Sequence, residues 1–426
     1  MNQFVRPGSS GDGAVPSEKT APGSVAATIA ELAEFGRPAG DGVTRVAWSR
    51  ELFAAYDFVG ERMRALGLDV SIDAAGNLIG RWNAGSGAPV VVGSHLDTVP
   101  SGGAFDGALG VVSAVHAVAR VKDEGFEPAR PLWIVAFMDE EGTRFGSALF
   151  GSRAFTGEDV SAFGDRVDDD GIALREAMAE AGFDFDRVAE ADAVGEVAAF
   201  VELHVEQGPV LEAEGHELGV VTSIVGLRGY RVRLRGQANH AGTTPMRLRR
   251  DALAGAARIA LELREYARSR ENVTANVGKL TVEPGGANVV PGGADFTIDV
   301  RAATGEAIAE LERQVEETVA TIAADEQLEA DLQQTFALDP VTLDATLVAA
   351  VERAAESEGA SWRRLPSGAG HDAMLVARRG VPTAMIFVPS RDGISHAPEE
   401  YTSPAHAELG MRVLAATLRQ TLRPDR

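Results

Sequence analysis

Residues 89–112 read PVVVGSHLDTVPSGGAFDGALGVV, and this stretch decides the fold. An apolar run is followed by a His-x-Asp pair, a glycine-rich turn holding one aspartate, and an apolar segment of small residues. That order describes a buried strand whose carboxyl end delivers His95 and Asp97, then a loop that places Asp106 at the mouth of a helix. Imidazole and carboxylate at a strand end suit metal chemistry.

Working outward, strands and helices alternate. Helical spacing marks 24–35 and 49–66, the second with Ser49 as N-cap and Gly67 as its stop. Residues 68–72 and 77–82 read as a hairpin around the turn 73–76, which has Asp73 and Gly76 at its ends. A helix over 107–121 follows the opening stretch, and the apolar run PLWIVAFM at 131–138 is a strand buried on both faces that ends in Asp139, Glu140 and Glu141. Residues 181–197 form a polar, acidic connection, and 198–203 another strand, ending at His204. The alternation predicts an α/β fold with a mostly parallel sheet covered by helices.

The character changes near Thr222. Residues 228–235, RGYRVRLR, alternate as a strand with one solvated face does; then come a helix over 249–268, strands over 274–282 and 295–301, a helix over 305–323 and a strand over 329–337. This β-α-β-β-α-β order is that of a ferredoxin-like α+β unit. The first pattern then resumes with a helix over 343–358, a loop at 365–372, a helix from Ala373 and an apolar strand at 383–388. Residues 222–337 therefore read as an insertion into a domain made of 24–221 and 338–426. Residues 1–23, rich in Gly, Pro and Ser, read as a disordered tail.

A chain of 426 residues suits two domains. Its 63 acidic against 40 basic side chains give a net charge of −23, which repels nucleic acid and acidic lipid surfaces, so neither is expected as a partner. No apolar run approaches the roughly 18 residues of a membrane helix, and residues 1–23 lack the basic start and apolar core of a secretory leader, so a cytoplasmic location is expected. With no cysteine, disulfides, thiolate ligands and cysteine nucleophiles are excluded.

Ligands of open α/β sheets gather at the carboxyl ends of strands. His95, the Glu140–Glu141 pair and His204 closely follow predicted buried strands, and His396 lies in the loop after 383–388. Each alone has a plainer explanation: a hydrogen-bonded loop histidine, turn chemistry at an aspartate, a solvated glutamate pair. Together they point to zinc, with manganese and cobalt as close competitors. Asp97, two residues past His95, is placed to orient that imidazole. On extended backbone Glu140 and Glu141 point in different directions, so one can ligate metal while the other faces an attacking water. Two ions about 3.5–4 Å apart can share an aspartate, and Asp106 is the natural bridge.

GSHLDTVPSGGAFDG (93–107), MDEEGTRFG (138–146), VELHVEQGP (201–209), NHAGTTPM (239–246), NVVPGG (288–293) and PSRDGISHAPEE (389–400) together resemble the hydantoinase/carbamoylase branch of the zinc aminoacylase and carboxypeptidase superfamily, from about residue 42 to the end. The resemblance implies a zinc-exopeptidase-like catalytic domain carrying an inserted dimerisation domain. It implies two divalent ions, Zn2+ first and Mn2+ or Co2+ as alternatives, held by His95, Asp106, Glu141, His204 and His396, with Asp106 bridging and Glu140 as general base. Histidine at 204, where peptidase relatives carry an acidic ligand, points to the carbamoylase branch. By the same resemblance His240 stabilises an oxyanion, often across the interface of a homodimer. Asn288 and Arg301 would hold a substrate carboxylate, the arginine as a fork; without the resemblance they read as a loop amide and a solvated charge. Gln207 closely follows His204, and the loop SGAGH at 367–371, with Gly370 and His371, offers backbone donors for substrate or, equally, is a glycine turn leading into a helix.

The implied reaction is hydrolysis of the ureido C–N bond of a small ureido acid, an N-carbamoyl-L-amino acid giving amino acid, carbon dioxide and ammonia. Allantoate and β-ureido acids are rival substrates that these motifs do not separate. A metal-binding scaffold without activity is the alternative of another class, and the presence of Glu140 speaks against it. A dinucleotide loop ending at Gly110 would need glycine at Phe105, and a serine-hydrolase elbow at Ser367 would need glycine at Leu365 and Ala369. His116, His216 and His406 receive no role.

Overall fold

The computed structural model describes residues 23–37 and 42–423, so the tail expected over 1–23 lies, except for Gly23, outside the described residues. The centre of a nine-stranded sheet is parallel: Leu132–Phe137, Val90–His95, Ala199–Val205 and Thr383–Val388 lie side by side in that order. Every residue of these four strands is buried, which explains their near-continuous apolar sequences. Antiparallel strands flank them. The hairpin Asp69–Ile72 with Leu78–Trp82 extends one side. On the other, Leu218–Ile224 runs antiparallel to Thr383–Val388 and parallel to Trp362–Ser367.

Register sets the site. His95 lies opposite Phe137, and Val205 opposite Val388, so the loops that follow these strands leave one edge of the sheet. The hairpin turn steadies that edge as well: Asp73 accepts the backbone N–H of Ala75 and Asn77, each at 2.9 Å, and the Asn77 amide bonds Met138 N at 3.0 Å and Gly151 O at 3.2 Å. A turn residue near the amino terminus thereby fixes the loop that carries Glu140 and Glu141.

Among the elements that differ from expectation, two lie toward the carboxyl terminus. The loop expected at 365–372 begins as strand Trp362–Ser367, because pairing with Leu218–Ile224 outweighs the charged residues and Pro366 that mask it. A helix, Pro404–Thr421, follows residues expected only to continue the domain; Ser403 caps it, accepting from His406 N, and Pro404 opens its first turn.

The second sheet is wholly antiparallel, in the order Glu329–Leu338, Gly226–Arg235, Gly293–Ala302, Val273–Glu283. Helices Ala252–Arg268 and Gly305–Asp325 pack on it around Val232, Phe296, Ile259, Leu311 and Val315, a core separate from that of the large sheet. A short ribbon pairs Asn239–His240 with Val289–Val290.

Candidate metal centre

His95 ends its strand and His204 sits one residue before the end of Ala199–Val205. Each imidazole is held through Nδ1 by a backbone carbonyl, His95 by Asp97 O at 3.0 Å and His204 by Val205 O at 2.9 Å. In the neutral rings Nδ1–H donates and Nε2 presents a lone pair, and these nitrogens face Asp106 Oδ1 at 3.7 and 3.1 Å. The closer approach lacks hydrogen-bond alignment, leaving His204 Nε2 buried without a partner. On the other side of the aspartate, Oδ2 lies 3.3 Å from His396 Nε2, which lies 3.5 Å from Glu141 Oε2. Glu141 Oε1 is also buried and unpartnered.

Two sets thus share Asp106, namely His95–Asp106–His204 and Asp106–Glu141–His396, with the ligand atoms of each set within 4.8 Å of one another. Inward-facing imidazole and carboxylate lone pairs with no protein donor are what divalent cations satisfy, so the residues present fit the implied metals. Glu202, His204 and His371 lie equally close together. There the groups are engaged: Glu202 accepts from Ser94 Oγ at 2.7 Å and Ala373 N at 3.0 Å, and His371 Nε2 is 2.8 Å from Ser367 Oγ.

Local backbone explains the convergence. Gly107 has φ +64°, and a Cβ there would overlap the His95 ring, so glycine both makes the turn and lets Asp106 reach the imidazole. Asp97 departs from expectation: its carbonyl, not its carboxylate, holds His95, with Oδ1 3.7 Å from Nδ1. Its carboxylate instead accepts the backbone N–H of Glu140 at 3.2 Å and Glu141 at 3.1 Å. The cause is Asp139, whose φ of 57° turns the chain sharply where extended backbone was expected. The two glutamates still diverge, Glu140 Oε2 lying 3.7 Å from His95 Nε2 while Glu141 reaches His396. Behind Asp97, the fully buried Arg45 donates from Nε to Leu96 O at 2.7 Å and from Nη1 to Phe35 O at 3.3 Å.

Crowded acids dominate the electrostatics. Burial and then Asp106 push Glu141 up to about 8, and burial, Asp372 and Glu141 hold Glu140 well above the usual carboxylate range. Burial and Asp97 push Asp139 up to about 7. Asp106 is the exception: burial opposes its charge, but the neighbouring His204, His396 and His95 hold it well below its ordinary value. Burial likewise opposes protonation of His204, yet Asp106 and Glu202 push it up to about 9; the hydrogen bond to Asp106 outweighs burial at His396, also about 9. Burial lowers His95 to about 4.

Gln207 Nε2 donates to Asp106 Oδ2 at 2.8 Å, so it touches a candidate ligand directly. A cleft of about 650 Å³ brings Gln207, Gly368 and His396 together with Arg301, whose Nη1 donates to Gly368 O at 2.7 Å and whose Nε donates to Asp299 at 3.0 Å. Gly370 is half-buried beside the buried His371. His240 and Asn288 lie exposed on the ribbon and its approach and do not line this cleft. His240 Nδ1 accepts from Gly242 N at 3.0 Å, which leaves Nε2 as the ring's outward group. Arg45, Glu202, Ser395 and Glu400 escaped the sequence reading, although a glutamate inside the apolar run AFVELHV is itself a signal.

The model of peptidase family M20/M25/M40 matches residues 91–420. An N-carbamoyl-L-amino-acid amidohydrolase of Paenarthrobacter aurescens is 41% identical over 396 residues, 92% of this chain and 96% of that protein. An allantoate amidohydrolase of Bacillus subtilis (strain 168) is 40% identical over 403 residues, 93% of this chain and 96% of the other. The crystal structure of an amidase of the hydantoinase/carbamoylase family from Burkholderia multivorans superposes with a TM-score of 0.88 at 38% identity, covering 94% of this chain and 98% of that one. The chain belongs to peptidase family M20/M25/M40, in its hydantoinase/carbamoylase branch.

Proposed function

We propose that this chain is a homodimeric, metal-dependent amidohydrolase that cleaves the ureido C–N bond of N-carbamoyl-L-amino acids. The observation that carries the reading is Glu140, a carboxylate only 12% exposed that lies 3.7 Å from His95 at the edge of the paired ligand sets, with the Arg301 cleft alongside. His95, Asp106 and His204 would hold one ion and Asp106, Glu141 and His396 a second; zinc suits these donors best, with manganese or cobalt as competitors. When bound, the ions supply Lewis acidity to the ureido carbonyl and to the attacking water.

The chain's own groups do the rest. Glu140 takes a proton from the attacking water and returns it to the amino acid nitrogen as the bond from that nitrogen to the carbamoyl carbon breaks. The carbamic acid released falls to carbon dioxide and ammonia. The free edge of the Arg301 guanidinium binds the α-carboxylate, while Gln207 and the backbone about Gly370 and His371 border the substrate; Asn288, outside this cleft like His240, is assigned to the carboxylate bound in the partner's site. We assign 222–337 as the dimerisation and lid domain on the catalytic body of 24–221 and 338–426. Since His240 lies outside its own chain's cleft, we assign its Nε2 to oxyanion stabilisation in the partner's site.

Allantoate is the second reading, supported by the nearly equal identity to the Bacillus subtilis enzyme. Ammonia release measured in parallel on allantoate, a β-ureido acid and a panel of N-carbamoyl-L-amino acids, after reconstitution with zinc, manganese or cobalt, decides between them. Turnover of N-carbamoyl-L-amino acids with the highest kcat/KM supports the proposal; a higher kcat/KM on allantoate replaces it, and no turnover on any substrate favours an inactive scaffold.

A further inference from the structure

Glu400 lies four residues beyond the candidate ligand His396 and is only 5% exposed. Its Oε1 accepts the backbone N–H of both Phe105 and Asp106, each at 2.9 Å, from 295 and 294 residues away in the chain. Its Oε2 lies 2.9 Å from Ser395 Oγ, and the same hydroxyl lies 2.8 Å from Asp106 Oδ2. Gly103 makes room for this carboxylate, since a Cβ there would overlap it. One side chain therefore clasps the turn that delivers Asp106 to the loop that delivers His396.

That clasp falls where the centre is weakest. The His396 side chain is 49% exposed, against 5% for Asp106, and its backbone sits at φ 57°. His95 and His204, by contrast, are set in buried strands and held by adjacent carbonyls. We propose that Glu400, acting through Ser395 and the backbone of Asp106, is a positioning residue for the Asp106–Glu141–His396 half of the centre. It sets the affinity of that half for a divalent ion and leaves the His95–Asp106–His204 half nearly unchanged. The inference rests on reading the cluster as a two-ion centre.

The test is zinc binding to the demetallated full-length protein, by competition with a chromogenic chelator, for wild type, Glu400→Ala, Glu400→Gln and Ser395→Ala. Thermal unfolding of each metal-free protein is followed alongside. Wild type takes up two equivalents. Glu400→Ala weakens one of them about 10- to 100-fold and spares the other, the range typical of groups that orient metal ligands. Glu400→Gln recovers most of the loss, because its carbonyl still accepts the two N–H groups while its amide donates to Ser395 Oγ, freeing the serine proton for Asp106. Ser395→Ala weakens the same equivalent, and it carries the test if Glu400→Ala does not fold. A wild-type protein that takes up no second equivalent contradicts the two-ion reading itself. Two wild-type equivalents with both affinities unchanged in Glu400→Ala or Ser395→Ala, or both lowered equally, overturn the role of Glu400 alone.

Discussion

Asp97→Asn removes one charge while preserving shape at a residue that holds both glutamates. The carboxylate is 1% exposed and accepts two backbone N–H groups, from Glu140 at 3.2 Å and Glu141 at 3.1 Å. In the amide, one acceptor becomes an NH2 group facing an N–H donor, so a hydrogen bond to a charged group, worth about 1.5–3 kcal/mol, is lost. The substitution also strips a counter-charge from buried Arg45, whose pKa burial already lowers to about 10. Arg45 donates to the carbonyls of Leu96 and Phe35 and keeps both acceptors, so the total stays at the upper end of the hydrogen-bond cost, about 3 kcal/mol. Urea unfolding at pH 7.5 of the metal-free variant should show that loss. Because the carbonyl that pins His95 survives, zinc binding by the His95–His204 half should fall less than turnover, which depends on where Glu140 stands. A loss below about 1 kcal/mol with turnover intact would refute the role given to the Asp97 carboxylate.

Gly107→Ala should destabilise by more than about 1–2 kcal/mol and weaken zinc binding, since φ +64° is unfavourable for alanine and its Cβ would displace the His95 ring; denaturation midpoints and zinc affinity check this. In the metal-free protein Asp139, Glu141, His204 and His396 titrate near 7, 8, 9 and 9, all above their unfolded values. Raised folded pKa values stabilise at low pH and lose that stability as pH rises through them, whereas His95, near 4, titrates below the window. Metal-free stability should therefore fall between pH 7 and 9 by at least about 1.4 kcal/mol, one proton over one unit, and zinc should abolish the fall; a flat or rising curve without metal contradicts the clustering. Arg301→Ala should raise KM for a ureido acid about tenfold or more, with a smaller change in kcat, and an unchanged KM removes Arg301 from the carboxylate site.

The central strands were legible because burial on both faces writes them as apolar runs, and the ligands because they sit where those runs stop. Ser49 as an N-cap was legible for the same local reason: its side chain accepts from Leu52 N. Trp362–Ser367 was not, since its place depends on pairing with a strand some 140 residues earlier rather than on its own residues. Glu140 and Glu141 diverge as expected, but the backbone that carries them was not legible, because one left-handed residue, Asp139, turns the chain where extended backbone was expected. Glu400 escaped because a glutamate beside a histidine motif looks solvated until the partner loop is folded against it. Short-range pattern thus carried the elements and the ligand types, while the hydrogen bonds that orient the ligands depend on contacts far apart in the chain.

The account turns on Glu140 moving the proton. In the zinc-loaded protein Glu140→Gln should keep two zinc equivalents and bind an N-carbamoyl-L-amino acid while ammonia release falls about 100- to 10,000-fold, the span of general acid–base catalysis. Ammonia release at the wild-type rate from that variant would contradict it.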